Sequence, residues 1–79
     1  MNESNHSHLN DLIRISLNGN LITSGFVDLA SLLAMNGIDP EQPGIAVAVN
    51  DTVVQRAEWG QTRIGDGDRV EIITAMQGG

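Results

Sequence analysis

The chain contains no cysteine, no lysine and no tyrosine. Without cysteine there is no disulfide, no thiolate metal site and no cysteine nucleophile. All four cations are arginines, Arg14, Arg56, Arg63 and Arg69, and a glycine-rich phosphate loop needs a lysine after its last glycine. Aromatic residues are limited to Phe26 and Trp59, so aliphatic side chains must build the core. No apolar run approaches the roughly 20 residues of a membrane-spanning helix. The opening residues Met1 to His8 have neither the basic nor the apolar part of a signal peptide. These absences point to a cytoplasmic protein without a membrane partner. They also leave the Asn-X-Ser/Thr triplets beginning at Asn2, Asn5 and Asn50 as chance matches.

What is present fits a single small domain. A chain of 79 residues buries only about 60% of the surface it exposes when unfolded. That is enough for a modest core but not for a core and a deep catalytic cavity together, which favours a module that is acted upon over an enzyme. Hydrophobic residues make up 41% of the chain, the balance of a globular protein rather than a disordered one. The net charge of -6 repels phosphate backbones and anionic membranes alike, so nucleic acid is not an expected partner. A basic groove on a protein is the natural complement, although charge of this size also serves solubility alone.

Residues 1–10 are polar and unpatterned and read as a flexible extension. His6 and His8 fall within it, and two histidines without further ligands do not make a metal site. Order is expected over 11–75. Ile13, Ile15 and Leu17 alternate with Arg14 and Ser16, the period of a half-buried strand. Asn18-Gly19 is a strong hairpin signal, and Leu21-Ile22-Thr23 reads as the returning strand. Asp28 reads as a helix N-cap, with Leu29, Leu32 and Leu33 on one helical face and Gly37 as the left-handed stop. After a loop carrying Pro40 and Pro43, Ile45 to Val49 is a strand with Ile and Val on one face and Ala on the other. Asn50-Asp51 turns into a short strand, Thr52 to Val54. The stretch from Arg56 to Ile64 reads as irregular, with Trp59 its one large apolar anchor. Gly65 to Asp68 is a tight turn, and Arg69 to Ile73 is the last strand. An opening hairpin, one crossing helix and a closing central strand describe an α+β, ubiquitin-like β-grasp. The expected sheet is mixed, with four to five strands, the helix on one face and the other face open. Residues 76–79 are expected to form a flexible tail.

Few groups suit chemistry. Gly65-Asp66-Gly67-Asp68 lacks the further ligands and closing Glu of a calcium loop. With both histidines in the extension, no nucleophile and base can be held together. The terminus is different. Two closing glycines arise by chance in about 0.5% of chains. Gly78 and Gly79 lack a Cβ, so such a tail can enter a narrow channel in a partner. Its carboxylate, ionised at neutral pH, is a poor electrophile until ATP converts it to an acyl-adenylate.

The chain resembles the ThiS family, the sulfur carriers of thiamin biosynthesis, from about Ile13 to Gly79. The pieces that carry the likeness are Leu17-Asn18-Gly19, Leu29 with Leu32-Leu33, and Ala46 to Asn50. Further along they are Val53-Val54 with Arg56 and Trp59, Asp66-Gly67-Asp68 with Val70-Glu71-Ile72, and the final Gly78-Gly79. The resemblance implies a non-catalytic carrier that binds no cofactor and no metal. A ThiF-like adenylyltransferase would activate Gly79 with its own ATP and magnesium. Sulfur from a cysteine desulfurase would then form a thiocarboxylate, which a ThiG-like thiazole synthase would consume. In that picture Gly79 carries the sulfur, Gly78 thins the tail for threading, and Met76 and Trp59 are candidates for partner docking.

Three alternatives stay open. The MoaD-like subunit of molybdopterin synthase shares the fold and the Gly-Gly end, but usually has a proline-containing stretch before it, and Thr74 to Gln77 has none. A ubiquitin-like modifier would form an amide with a target lysine. A pure interaction module would carry an inert tail.

Overall fold

A computed structural model describes residues 12–74. The expected extension 1–10 and tail 76–79 lie outside the described residues. Strand β1 (Ile13–Leu17) and strand β2 (Asn20–Ser24) form the opening hairpin. Asn18 and Gly19 between them have φ of 50° and 86°, the pair of positive angles that a type I′ turn requires. A two-residue strand β3 (Val27–Asp28) leads into helix α1 (Leu29–Met35). The Asp28 carboxylate caps that helix by accepting from the Ser31 N–H at 2.8 Å and from its hydroxyl at 3.2 Å. The helix ends in a Schellman motif. Gly37 N–H donates to the Ala34 carbonyl and Ile38 N–H to the Leu33 carbonyl, with Gly37 at φ 82°.

Strand β4 (Ile45–Val49) and strand β5 (Thr52–Val54) follow as a second hairpin, turned by Asn50 and Asp51 at φ 52° and 72°. The segment expected to be irregular is ordered. It forms a 3₁₀ helix over Arg56–Gln61 and a short strand β6 (Arg63–Ile64). Strand β6 pairs antiparallel with β3 in a small second sheet, Val27 opposite Ile64 and Asp28 opposite Arg63. The chain closes on strand β7 (Arg69–Thr74).

The main sheet has the order β2-β1-β7-β4-β5. Strand β7 is central, parallel to β1 and antiparallel to β4. Helix α1 covers one face. Leu29, Leu32 and Leu33 from the helix meet Ile13, Ile15, Val47 and Val70 from the sheet, with Trp59 and Ile64 closing the side. The aliphatic Leu, Ile and Val residues that make up most of this core are each worth about 1.5–3 kcal/mol when fully buried. The sheet and helix together are the expected β-grasp.

Candidate functional site

The site residues read from the sequence divide in two. Gly79, Gly78 and Met76 lie outside the described residues. Trp59 is buried, with 2% of its surface exposed. Its indole N–H donates to the Val54 carbonyl at 2.9 Å, and its ring packs in the core beside Ile64. The residue therefore serves first as the anchor that joins the 3₁₀ helix to the fold. One edge of it reaches an open groove of about 460 Å³, lined also by Ala30, Pro40, Glu41, Arg56 and Gly60.

What the described residues contribute is the launch point of the tail and the surface around it. Strand β7 lies between β1 and β4, paired with β1 at Arg69 and Val70 and with β4 as far as Thr74, the last described residue. Side chains alternate along a strand. Val70 and Ile72 face the helix side, and Glu71 and Ile73 face the open side. On that open face Ala46 lies opposite Ile73, and Ala48 lies opposite both Glu71 and Val53. Ile73 is 58% and Val53 68% exposed. With the two alanines between them they form an apolar strip across β7, β4 and β5, one residue from the point where β7 ends. Ala48 itself is buried although it faces this side.

Polar contacts stiffen the opposite end of the sheet. The Asn50 amide donates to Asp68 Oδ1 at 3.0 Å and accepts from the Arg69 N–H at 2.9 Å. Asp66 accepts from the Arg14 N–H at 2.8 Å, and Asp68 accepts from the Gly65 N–H at 2.7 Å. Arg69 meets Asp51 at 2.9 Å. Its hydrogen bonds and charge hold the Asp51 carboxyl below the usual value. These acids are engaged in turns, which accounts for the Gly65 to Asp68 motif without a cation. Among the described residues no group of His, Asp or Glu could hold a metal. No described helix is long and apolar enough to cross a membrane.

Sequence reasoning named the open face but not its residues. Alternation in Arg69 to Ile73 was the signal that could have placed Ile73 there. It also gave Arg56 no role, whereas the structure sets the Arg56 guanidinium over the Trp59 ring, 4.6 Å from its centroid.

The ThiS family profile matches residues 15–79, from the first strand through Gly78 and Gly79. The chain belongs to the ThiS family. It is 36% identical over 42 residues to the sulfur carrier protein ThiS of Escherichia coli strain K12, a match that spans 53% of this chain and 64% of the E. coli protein. Its fold superposes on the crystal structure of the thiamine biosynthesis protein ThiS from Geobacter metallireducens with a TM-score of 0.72 and 26% identity, covering 85% of this chain and all of that one. The solution structure of a thiamine biosynthesis protein from the same organism gives a TM-score of 0.68 at 26% identity, covering 85% and 88% of the two chains. Family membership thus rests on sequence and fold together, and it includes the segment beyond β7.

Proposed function

We propose that this member of the ThiS family is a cytoplasmic sulfur carrier for thiamin thiazole formation, and that its working group is the carboxylate of Gly79. The observation that carries this reading is the family match running through Gly78 and Gly79. The fold supports it: the central strand hands the chain to those residues, and an exposed apolar strip flanks the exit. The protein is the substrate, and the catalysts are its partners.

The chemistry follows from the acid. A carboxylate oxygen of Gly79 attacks the α-phosphorus of ATP on a ThiF-like adenylyltransferase, and pyrophosphate leaves. The resulting acyl-adenylate has a good leaving group. The terminal sulfur of a persulfide, supplied from a cysteine desulfurase, adds to the carbonyl and AMP departs. That leaves an acyl disulfide, which a thiol reductant cleaves with two electrons to the thiocarboxylate and the thiol that bore the persulfide. The thiocarboxylate then passes its sulfur to a ThiG-like thiazole synthase. With no side chain at Gly78 or Gly79, nothing hinders the approach to the carbonyl. ATP and magnesium belong to the activating enzyme. The strip of Ile73, Ala46, Ala48 and Val53 meets the partner while the tail enters its channel.

Incubation with a cognate adenylyltransferase, ATP and a sulfur source tests the reading by intact mass. A gain of about 16 Da, oxygen replaced by sulfur on the activated acyl group, is the expected result, and deletion of Gly79 removes it. Conjugates to lysines of other proteins would identify a modifier instead, and an unchanged mass with an active enzyme would identify an inert module.

A further inference from the structure

The opening hairpin is the least charged part of the molecule. From Leu12 to Val27 there are sixteen residues and one charge, Arg14, whereas eight of the ten acids lie between Asp28 and Glu71. Leu12, Leu21 and Phe26 are all exposed in this stretch, Leu21 with 72% of its surface open. Strand β2 is also an edge of the main sheet.

The turn fixes which backbone groups that edge presents. In a two-residue hairpin the pair that closes the turn is hydrogen-bonded, here Leu17–Asn20. Bonded and non-bonded pairs then alternate. Ile15–Ile22 and Ile13–Ser24 are therefore bonded, and Ser16–Leu21 and Arg14–Thr23 are not. The other side of β1 agrees, since the Arg14 and Ser16 N–H groups donate to Asp66 and Asp68, away from β2. The N–H and C=O groups of Leu21 and Thr23 thus project outward from the sheet. Natural edges are blunted by a charge, a proline or a bulge. Asn20–Ser24 contains neither charge nor proline, and it pairs residue for residue with β1.

We propose that β2 is a self-association edge, on which a second copy of this chain pairs antiparallel about a twofold axis at Ile22. Leu21 of each copy exchanges both backbone hydrogen bonds with Thr23 of the other, and Ile22 faces its own counterpart. On the open face each row runs Arg14, Thr23, then Leu21 and Ser16 of the second copy, so no charge faces a charge. The two Arg14 side chains stand at least three strand spacings apart, about 14 Å, beyond the screening distance at physiological salt. Charge also argues for a second copy as the occupant. Two chains of net charge -6 repel each other and meet closely only through a surface free of acids. This hairpin is the longest acid-free stretch among the described residues, and it gives a basic partner no acid to pair with. One strand edge buries less than the roughly 1,200–2,000 Å² of a standard interface, so the dimer dissociates on dilution. The pairing is at the far edge of the sheet from β5 and leaves Val53 and Ile73 uncovered. It is independent of the carrier reading of Gly79.

Sedimentation equilibrium of the full chain, from micromolar to millimolar concentration, tests the proposal. The apparent mass is expected to rise toward twice the chain mass, and to do so more readily at high salt, which screens the repulsion. Exchange of the Leu21 and Thr23 amides is expected to slow about tenfold in the concentrated sample. Thr23→Pro removes an outward N–H and no bond to β1, and Leu21→Lys places a charge on the edge. Both variants are expected to stay monomeric at millimolar concentration, with the Ile22 amide still protected as the sign of an intact hairpin. A wild-type chain that remains monomeric at millimolar concentration and high salt overturns the proposal. A dimer that persists in both folded variants overturns it too, and places the contact on another surface such as the Val53 and Ile73 strip. Slowed exchange at Leu21 and Thr23 only on addition of a different protein also overturns it, and assigns the edge to a foreign strand.

Discussion

The Asn18 side-chain Oδ1 accepts a hydrogen bond from the Ile72 N–H at 2.7 Å. Strand β1 pairs with β7 in parallel only at Ser16–Arg69 and Leu17–Val70, and Asn18 N–H adds a bond to the Val70 carbonyl at 2.9 Å. The backbone then turns away into β2. The Asn18 amide takes the place of the departing strand and carries the pairing one step further along the central strand. The same residue adopts φ 50°, which asparagine tolerates better than most side chains.

Two requirements at one position can be separated by substitution. Asn18→Gly keeps the backbone angle and removes the acceptor, and is expected to cost about 1 kcal/mol, the net worth of one hydrogen bond. Asn18→Ala also forces a Cβ into the left-handed region and is expected to cost about 2 kcal/mol or more. Asn18→Asp keeps both features and should stay near the wild type. Urea midpoints at pH 7 rank the three, and equal stability of the glycine and wild-type proteins would remove the side-chain bond from this account.

Trp59 carries a larger share of the fold. Truncation to alanine is expected to cost about 3–5 kcal/mol, comparable with the whole stability of a domain this small. Trp59→Phe keeps most of the buried surface but leaves the Val54 carbonyl without its donor, a loss of about 1–2 kcal/mol. Far-UV circular dichroism is expected to show a largely unfolded alanine variant at 25 °C and a folded phenylalanine variant with a lowered melting temperature.

Local signals made most of this architecture legible in the sequence. Asn18-Gly19 fixed a turn, Asp28 and Gly37 bounded a helix, and the Leu29, Leu32, Leu33 stripe marked its buried face, each through backbone or capping chemistry contained within a few residues. Strands β3 and β6 were not legible. Each is two residues long, too short to show a period, and each exists only because the other lies beside it. The hydrogen bonds from Arg56 to the Pro40 and Gln42 carbonyls were equally silent, since backbone acceptors carry no sequence signature. Of the candidate site, the glycine end was legible as composition. The exposure of Ile73 and Val53 needed the register of three strands.

Acid weakens the protein through two carboxylates, the helix cap Asp28 and the turn residue Asp51. The Ser31 N–H holds the Asp28 carboxyl below its ordinary value of 3.8, and hydrogen bonds from Arg69 do the same for Asp51. A carboxyl with a lower pKa in the folded state binds fewer protons there than in the unfolded chain. Its contribution is therefore complete above pH 3.8 and is lost as pH falls through the folded value. Melting temperature is expected to be flat down to about pH 4 and to fall below it. Asp28→Asn retains a competent cap without the titration and is expected to flatten part of that acid limb. Asp51→Asn is expected to have the smaller effect, because its pair with Arg69 is exposed and screened.

The apolar strip gives the sharpest test of how the carrier meets its partner. Ile73 and Val53 are exposed on the open face, so replacing both with threonine removes little core and keeps β-branched residues in the strands. The melting temperature of the double variant is expected to stay within a few degrees of the wild type, as for surface changes away from packed features. Burial of two such side chains in an interface is worth up to about 1.5–3 kcal/mol each. Partial loss of that burial is expected to raise KM for activation about tenfold, with kcat preserved. The opposite face provides the contrast. Glu41→Gln alters the groove beside Arg56 and Trp59 and is expected to leave KM unchanged. A double variant with normal KM, together with an impaired Glu41→Gln, would move docking from the sheet to the helix side. The tail would then have to reach its partner's active site from the groove rather than along the face on which β7 presents Ile73.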